Sequence, residues 1–234
     1  MEPVLFYGVP HGCSFGSIVA LEWLGQPYRL HRIDMTAKHS RTFARVNPLG
    51  QTPAMVTGDG GTLTESLAIL HNIAARDLDN GLGFAQGSKE FDRLNWMLSY
   101  LHTTLHSDLG YGWNACKLVE DDDAGRNMLR KMAREKAAMD FAFLQRVLEN
   151  SEWLIGDHRT VADAYFIGIA RWGSDLDLFD MASEFPGIHK HMEKLEADPA
   201  VIFAHAIEEE REAVSLGGFR GHATAEELEP RIAA

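Results

Sequence analysis

Along the first 80 residues the apolar positions come in short runs punctuated by glycine and proline; beyond them they come in long stripes at helical spacing. Pro3 to Tyr7 is an apolar run closed by Gly8, Pro10 and Gly12, which predicts a buried strand and a turn. Phe15, Ile18, Val19, Leu21 and Leu24 then recur near helical spacing until Gly25 and Pro27, a helix with a stop signal. Tyr28 to Ile33 reads as a second strand. The turn chemistry of Asn47-Pro48-Leu49-Gly50 precedes a third strand over Pro53 to Thr57. Asp59-Gly60-Gly61 predicts a tight hairpin into Thr62-Leu63-Thr64. From Glu65 onward, Leu67, Ile69, Leu70, Ile73 and Ala74 give an amphipathic helix. The order β-α-β-helix-β-β-α describes a mixed sheet with covering helices.

Asn80 to Gly87 carries three glycines and reads as an interdomain linker. Past it the strand signals vanish. Phe91, Leu94, Leu98, Leu101, Leu105 and Leu109 make one helical stripe, and Met128, Met132, Met139, Phe143 and Val147 make another. Val161 to Trp172 and Pro186 to Glu196 add further helices. The segment after Leu216, rich in Gly, Ala and Glu, reads as a mobile tail. The expected organisation is therefore an α/β domain over 1–80, a linker over 81–87, an all-helical domain over 88–214 and a tail over 215–234.

Composition narrows the function classes. Among 234 residues, Lys and Arg number 22 and Asp and Glu 34, a formal charge of −12 at pH 7. A nucleic-acid groove needs a basic footprint, and an anionic membrane surface attracts one, so neither partner is expected. Two cysteines, Cys13 and Cys116, are too few for a disulfide framework and imply a reducing compartment. The amino terminus has no cationic flank or apolar run of signal-peptide length, and no stretch of about 18 apolar residues occurs. The expectation is a soluble cytoplasmic protein.

Candidate chemistry begins at Cys13, directly after the first strand and turn. A helix start there offers unpaired N–H groups and a dipole that favour a thiolate, its own or a bound one; the bland alternative is a small thiol packing a helix start. No Cys-x-x-Cys pair is present, so a dithiol cycle is not expected. Cys116 reads as packing. Thr52-Pro53 opens the third strand, and the sequence leaves the isomer of that bond open. Thr64-Glu65-Ser66 sits where a strand becomes a helix. Ser66 and nearby N–H groups suit a carboxylate and Glu65 suits an ammonium, together the α-amino-acid end of a ligand; a simple N-cap is the alternative. His102 and His106 lie one turn apart and form a polar stripe with Asn95 and Ser99, about 90° round the helix from the leucines. That is a cleft wall or a solvated face, since no third metal ligand is evident. Thr160-Val161-Ala162-Asp163 has capping-box form with Asp in place of Glu. Phe15, Tyr111, Trp113 and Trp172 are candidates for an apolar pocket, with core packing as the alternative.

In their order and spacing these segments resemble the cytosolic glutathione transferase family over nearly the whole chain, from Val4 to about Ala206. The resemblance rests on Leu5-Phe6-Tyr7 with Cys13-Ser14, on Asn47 through Ala54, and on Thr62 through Ile69. Trp153-Leu154-Ile155-Gly156 and Thr160 through Tyr165 complete it. It implies a thioredoxin-like first domain, a helical second domain and a homodimer. The chain is most similar to the bacterial beta class, whose cysteine and histidine near the glutathione sulfur fall at Cys13 and His106. The same matching implies that Thr52 pairs with the cysteinyl unit before a cis Pro53 and that Glu65 and Ser66 hold the γ-glutamyl end. Lys38 falls near the glycyl carboxylate, and His102 joins the glutathione-binding group. Tyr7 matches the region of a catalytic tyrosine in other classes, and Ser14 and Ser17 are rival activating hydroxyls. The implied function is a glutathione transferase that takes glutathione as co-substrate, uses no metal, and attacks a hydrophobic electrophile or a disulfide. The alternatives are a non-enzymatic ligand-binding or protein-interaction member, or a specialised glutathione-dependent isomerase or dehalogenase.

Overall fold

The structure is a computed structural model and describes residues 1–8, 11–35, 41–79, 81–117 and 122–232. Two compact units divide the chain: Met1–Ala85 together with Asp198–Ala234, and Gln86–Ala197.

In the first unit the expected elements form in the expected order: β1 (Val4–Tyr7), α1 (Ser14–Leu24), β2 (Tyr28–Arg32), α2 (Arg41–Val46), β3 (Ala54–Val56), β4 (Thr62–Thr64) and α3 (Ser66–Ala74). Strand β1 pairs parallel with β2 and antiparallel with β3, which pairs antiparallel with β4. Alternation along β1 sends Val4 and Phe6 into a core with Phe43, Val46, Ala54 and Val56, and leaves Leu5 and Tyr7 for the opposite face. Every residue of α1 is buried, because β1 and α3 lie against it and α11 (Pro199–Glu208) packs along it as well. The Trp23 indole N–H donates to Asp198 at 3.0 Å and the Phe15 ring lies 4.8 Å from His205, both ties between α1 and α11.

The carboxyl-terminal segment corrects the sequence expectation twice. Helix α11 belongs to the first unit, so the helical unit is 86–197 rather than 88–214, and residues 81–85 belong to the first unit rather than to a free linker. In place of a loose tail, β5 (Phe219–His222) joins the sheet parallel to β2, giving the order β4-β3-β1-β2-β5, and α12 (Ala225–Ile232) follows it. Leu228 of α12 and Ala223 enter the Val4–Phe6 core. A buried carboxylate fixes the segment: Glu22 accepts from the Tyr28 hydroxyl at 2.6 Å, the Ser215 hydroxyl at 2.7 Å and the Gly217 N–H at 2.9 Å. At Gly218 a Cβ would fall 1.9 Å from the Gln26 carbonyl oxygen, so the close approach admits only glycine. Composition alone looked disordered because it does not display a clasp made across the fold.

The second unit is helical. Helix α4 (Lys89–Tyr100), a π-helical turn (Leu101–His106) and α5 (Ser107–Lys117) run on without a break, and the Leu94, Leu98, Leu101, Leu105 and Leu109 stripe is fully buried. Helix α6 (Asp123–Leu148) packs against α5. Its buried face is Ala133, Ala137, Asp140, Phe141 and Leu144, whereas Met128 and Met139 are 60% and 68% exposed. The methionine stripe was the wrong face: α5 packs against α6, and a Cβ at Gly112 of α5 would be in ordinary contact with Ala133 on the other face of α6. Helix α7 (Val161–Ala170) is buried along its whole length and is followed by the short turns α8 (Trp172–Asp175) and α9 (Met181–Glu184) and by α10 (Pro186–Glu196). The capping box at Thr160 and Asp163 forms as expected, and Asp163 also accepts from the Leu154 N–H at 3.1 Å and from His191 Nε2 at 3.2 Å. Cys116 is exposed rather than packed.

Candidate active site

The β1–α1 turn delivers Cys13 to a position directly ahead of α1, where its Sγ–H donates to the Thr52 carbonyl at 3.7 Å. The Thr52–Pro53 bond is cis, which settles the isomer that the sequence left open. On the adjoining β4–α3 corner, Glu65 holds φ 69° in the left-handed region, with its side chain exposed and making no cap bond to α3. A non-glycine residue in such a conformation costs of order 1–3 kcal/mol and persists where the surroundings over-determine it. Ser66 begins α3, is buried, and its hydroxyl bonds to the Cys13 thiol.

Burial pushes the Cys13 thiol above its ordinary value; the Ser66 hydroxyl opposes the shift, and the carboxylates of Glu65 and Glu208 reinforce it. The helix start therefore does not make a resting thiolate. Desolvation and two carboxylates outweigh the dipole, and Cys13 rests as a neutral thiol. Glu208 is a neighbour of the Cys13 corner that sequence reading did not single out. It stands in the run Glu208-Glu209-Glu210, which reads as a solvated patch, yet Glu208 is 4% exposed and accepts from the His11 N–H at 3.2 Å.

In the helical unit the π-helical turn carries both His102 and His106. Such turns are rare and frequent at functional sites, and this one brings the two rings to 5.5 Å. His106 Nδ1 lies 2.7 Å from the hydroxyl of the fully buried Tyr165 on α7, and its ring meets Trp172 edge-on at 4.9 Å. Trp113 packs against Trp172 at 5.4 Å. Burial, with a smaller contribution from His102, pulls the His106 imidazole down to about 4, so the ring is neutral at physiological pH. Tyr165 entered the sequence reading only as the end of a segment that carries the family resemblance; its partnership with a histidine 59 positions away carries no local signal.

The remaining expected residues scatter. Tyr7 does not join Cys13: its hydroxyl is 2.9 Å from His222 Nε2 on β5. Phe15 is fully buried beside His205 and is core rather than pocket lining. Tyr111 lies under the Lys136 ammonium at 5.9 Å, beside its ion pair with Asp108. Ser14 and Ser17 are buried with hydroxyls that meet no partner. Lys38 and Asn80 lie outside the described residues. Among the described residues no group of three or more His, Cys, Asp or Glu could hold a metal ion, and no helix is long and apolar enough to cross a membrane.

A cysteine ahead of the first helix, a cis-proline strand and a left-handed Glu–Ser corner on this sheet, with a separate helical unit, define a thioredoxin-like transferase architecture. The family models for the glutathione S-transferase N-terminal and C-terminal domains match residues 13–76 and 115–199. Glutathione S-transferase GST-4.5 of Xanthomonas campestris pv. campestris is 28% identical over 166 residues, 71% of this chain and 80% of that protein. A sphingomonad glutathione S-transferase solved in complex with glutathione is 28% identical with a TM-score of 0.78, over 88% of this chain and 98% of the other. The bacterial beta-class glutathione S-transferase of Sphingomonas chungbukensis is 27% identical with a TM-score of 0.77 and the same coverage. The chain belongs to the glutathione S-transferase family.

Proposed function

We propose that this protein is a glutathione transferase in which the Cys13 corner receives the cysteinyl thiol of glutathione. The observation that carries the reading is the convergence of the Cys13 Sγ, the Thr52 carbonyl before cis-Pro53 and the buried Ser66 hydroxyl on one point. Thr52 presents backbone to the cysteinyl unit. Ser66 and the start of α3 take the γ-glutamyl carboxylate, and exposed Glu65 takes the ammonium. A neutral Cys13 thiol is a donor in that setting: it stabilises an incoming thiolate by hydrogen bonding rather than repelling it. Within the helical unit, neutral His106 and the Trp113–Trp172 pair beside it are the groups proposed to serve that unit's part in the function. The glutathione thiolate attacks an electrophilic carbon, or the sulfur of a disulfide.

The protein is proposed to work in the reducing cytoplasm, where Cys13 and Cys116 stay free. It is proposed to act as a homodimer: Trp96, Met128 and Met139 are 51%, 60% and 68% exposed on α4 and α6, and Phe143 meets Trp96 edge-on at 6.0 Å. Large apolar side chains left in water favour a partner surface.

Calorimetric titration of glutathione into the full chain tests the reading. Binding in the micromolar-to-millimolar range, weakened by Cys13→Ala, is the expected result; no heat of binding at all overturns it. Because glutathione and the protein are both net anions, local donors rather than long-range steering hold the ligand, so added salt changes the affinity only modestly. Turnover of a model aryl halide beside hydroxyethyl disulfide separates conjugation from disulfide exchange.

A further inference from the structure

We propose that a second site in the first unit, a cavity at the carboxyl ends of the parallel strands β1, β2 and β5, binds a small anion carrying a carboxylate or phosphate group. The cavity measures about 470 Å³, within the range of about 300–1,000 Å³ typical of ligand pockets. Its polar lining comes from Tyr7, His31, Arg32, Glu210, Arg211 and His222; Cys13, Thr52, Glu65 and Ser66 do not line it. In sheets of this kind ligands collect outside the carboxyl ends of parallel strands, and β5 creates a new parallel edge for one.

The chemistry of the walls points to an anion. Arg32, Arg211, His31 and His222 line one space, with Arg211 Nε on the exposed Glu209 carboxylate and His222 Nε2 2.9 Å from the Tyr7 hydroxyl. His31 Nδ1 lies 2.7 Å from the Ala223 carbonyl, which only accepts, so that nitrogen carries its proton and fixes the ring. Arg32 already holds a carboxylate: its Nη2 is 3.1 Å from the Glu210 carboxylate, while Nη1 donates to the Glu208 carbonyl at 3.3 Å. Glu210 is a stand-in that can leave. Its side chain is 70% exposed, its backbone sits at φ 54° in the left-handed region, and an exposed ion pair contributes little. A ligand carboxylate or phosphate takes the same guanidinium fork, with Arg211 and the imidazoles beside it.

The walls are held in place before any ligand arrives. Arg29 bonds the His222 carbonyl at 2.7 Å and reaches both Glu227 carboxylate oxygens, at 3.1 Å and 3.0 Å. The Ala223 N–H donates to the Leu30 carbonyl at 2.7 Å, and the Glu22 clasp anchors Ser215 and Gly217 upstream. The site is thus a product of the carboxyl-terminal segment, and it stands independently of the glutathione reading.

Inorganic phosphate and, separately, succinate are titrated into the full chain at constant ionic strength while the imidazole proton resonances of His31 and His222 are followed by NMR. The expected result is a saturable shift of both rings with at least one probe. Glu210→Gln, which removes the internal competitor, tightens binding about threefold or more, and Arg32→Gln weakens it about tenfold or more. Saturation with phosphate alone or succinate alone identifies the ligand chemistry. Shifts that never saturate in either the native chain or Glu210→Gln overturn the proposal, as does a Glu210→Gln chain that binds no better than the native one. Where Arg32→Gln fails to fold, the Glu210→Gln arm decides by itself. Glutathione calorimetry on Glu210→Gln, expected to agree with the native chain within about twofold, keeps failure of this site distinct from failure of the Cys13 corner.

Discussion

Cys13 in the first unit and His106 in the second are both titratable groups shifted by burial, and burial moves them in opposite directions. The Cys13 thiol is pushed up and the His106 imidazole is pulled down to about 4. The cause is one and the same: an environment poor in water disfavours whichever form carries charge. Their neighbours differ. Cys13 has a hydroxyl, Ser66, working against burial and two carboxylates working with it, whereas His106 has a second imidazole, His102, working with burial. Both groups consequently wait in their neutral forms, ready to donate or accept a hydrogen bond rather than to act as ions.

The sharpest way to break this comparison is to loosen the His106 side alone. Asp163 caps α7, which carries Tyr165, and it is a fully buried carboxylate accepting from Thr160, Leu154 and His191. Asp163→Ala leaves those donors buried without a partner and is expected to cost about 3–5 kcal/mol in urea unfolding. A loss under about 1 kcal/mol would show that α7 does not depend on this carboxylate.

A smaller effect tests the neutral imidazole. His106 has a folded value of about 4 against an ordinary 6.5, so the unfolded chain binds its proton first as pH falls. The stability it contributes is complete above about pH 6.5 and is lost on the way down to about pH 4, a difference of up to about 3 kcal/mol. Across that window the urea stability of the native chain should fall more steeply than that of His106→Gln; parallel curves would contradict the shift.

The smallest effect separates the two cysteines. At pH 8, iodoacetamide should modify exposed Cys116 about tenfold faster than Cys13, whose thiol is both covered and held protonated. Mass spectrometry of the two peptides gives the ratio directly. Ser66→Ala removes a bond that favours the anion and should slow Cys13 further. Faster labelling of Cys13 than of Cys116 would mean that the helix start outweighs burial after all.

Two buried carboxylates show why some of the molecule was legible in the sequence and some was not. Asp163 announced itself, because its capping partner Thr160 stands three positions away and helix starts have a local grammar. Glu22 did not. Its partners Ser215 and Gly217 are 193 and 195 positions away, and nothing in either segment names the other. The leucine stripe of α4 and α5 was readable for the same reason as Asp163. The methionine stripe of α6 misled because a helix can carry two apolar faces, and which one is covered is decided by the helices packed on it. At the candidate site, Cys13, Thr52, Glu65 and Ser66 were legible as ends of elements, and the structure brings Cys13, Thr52 and Ser66 together. Glu208 and Tyr165 were not legible, since each acts on a residue far off in the chain.

The sequence by itself determined the element order of the first 80 residues, the leucine stripe of α4 and α5, the capping box and the placing of Cys13 ahead of α1, because each is decided by interactions within a few residues. Tertiary structure alone decided the cis state of Thr52–Pro53, the neutral condition of Cys13 and His106, the partner of Tyr7, and the recruitment of 198–232 to the first unit with a fifth strand. Each of these depends on which groups lose water together, and desolvation is a property of the packed whole rather than of any segment.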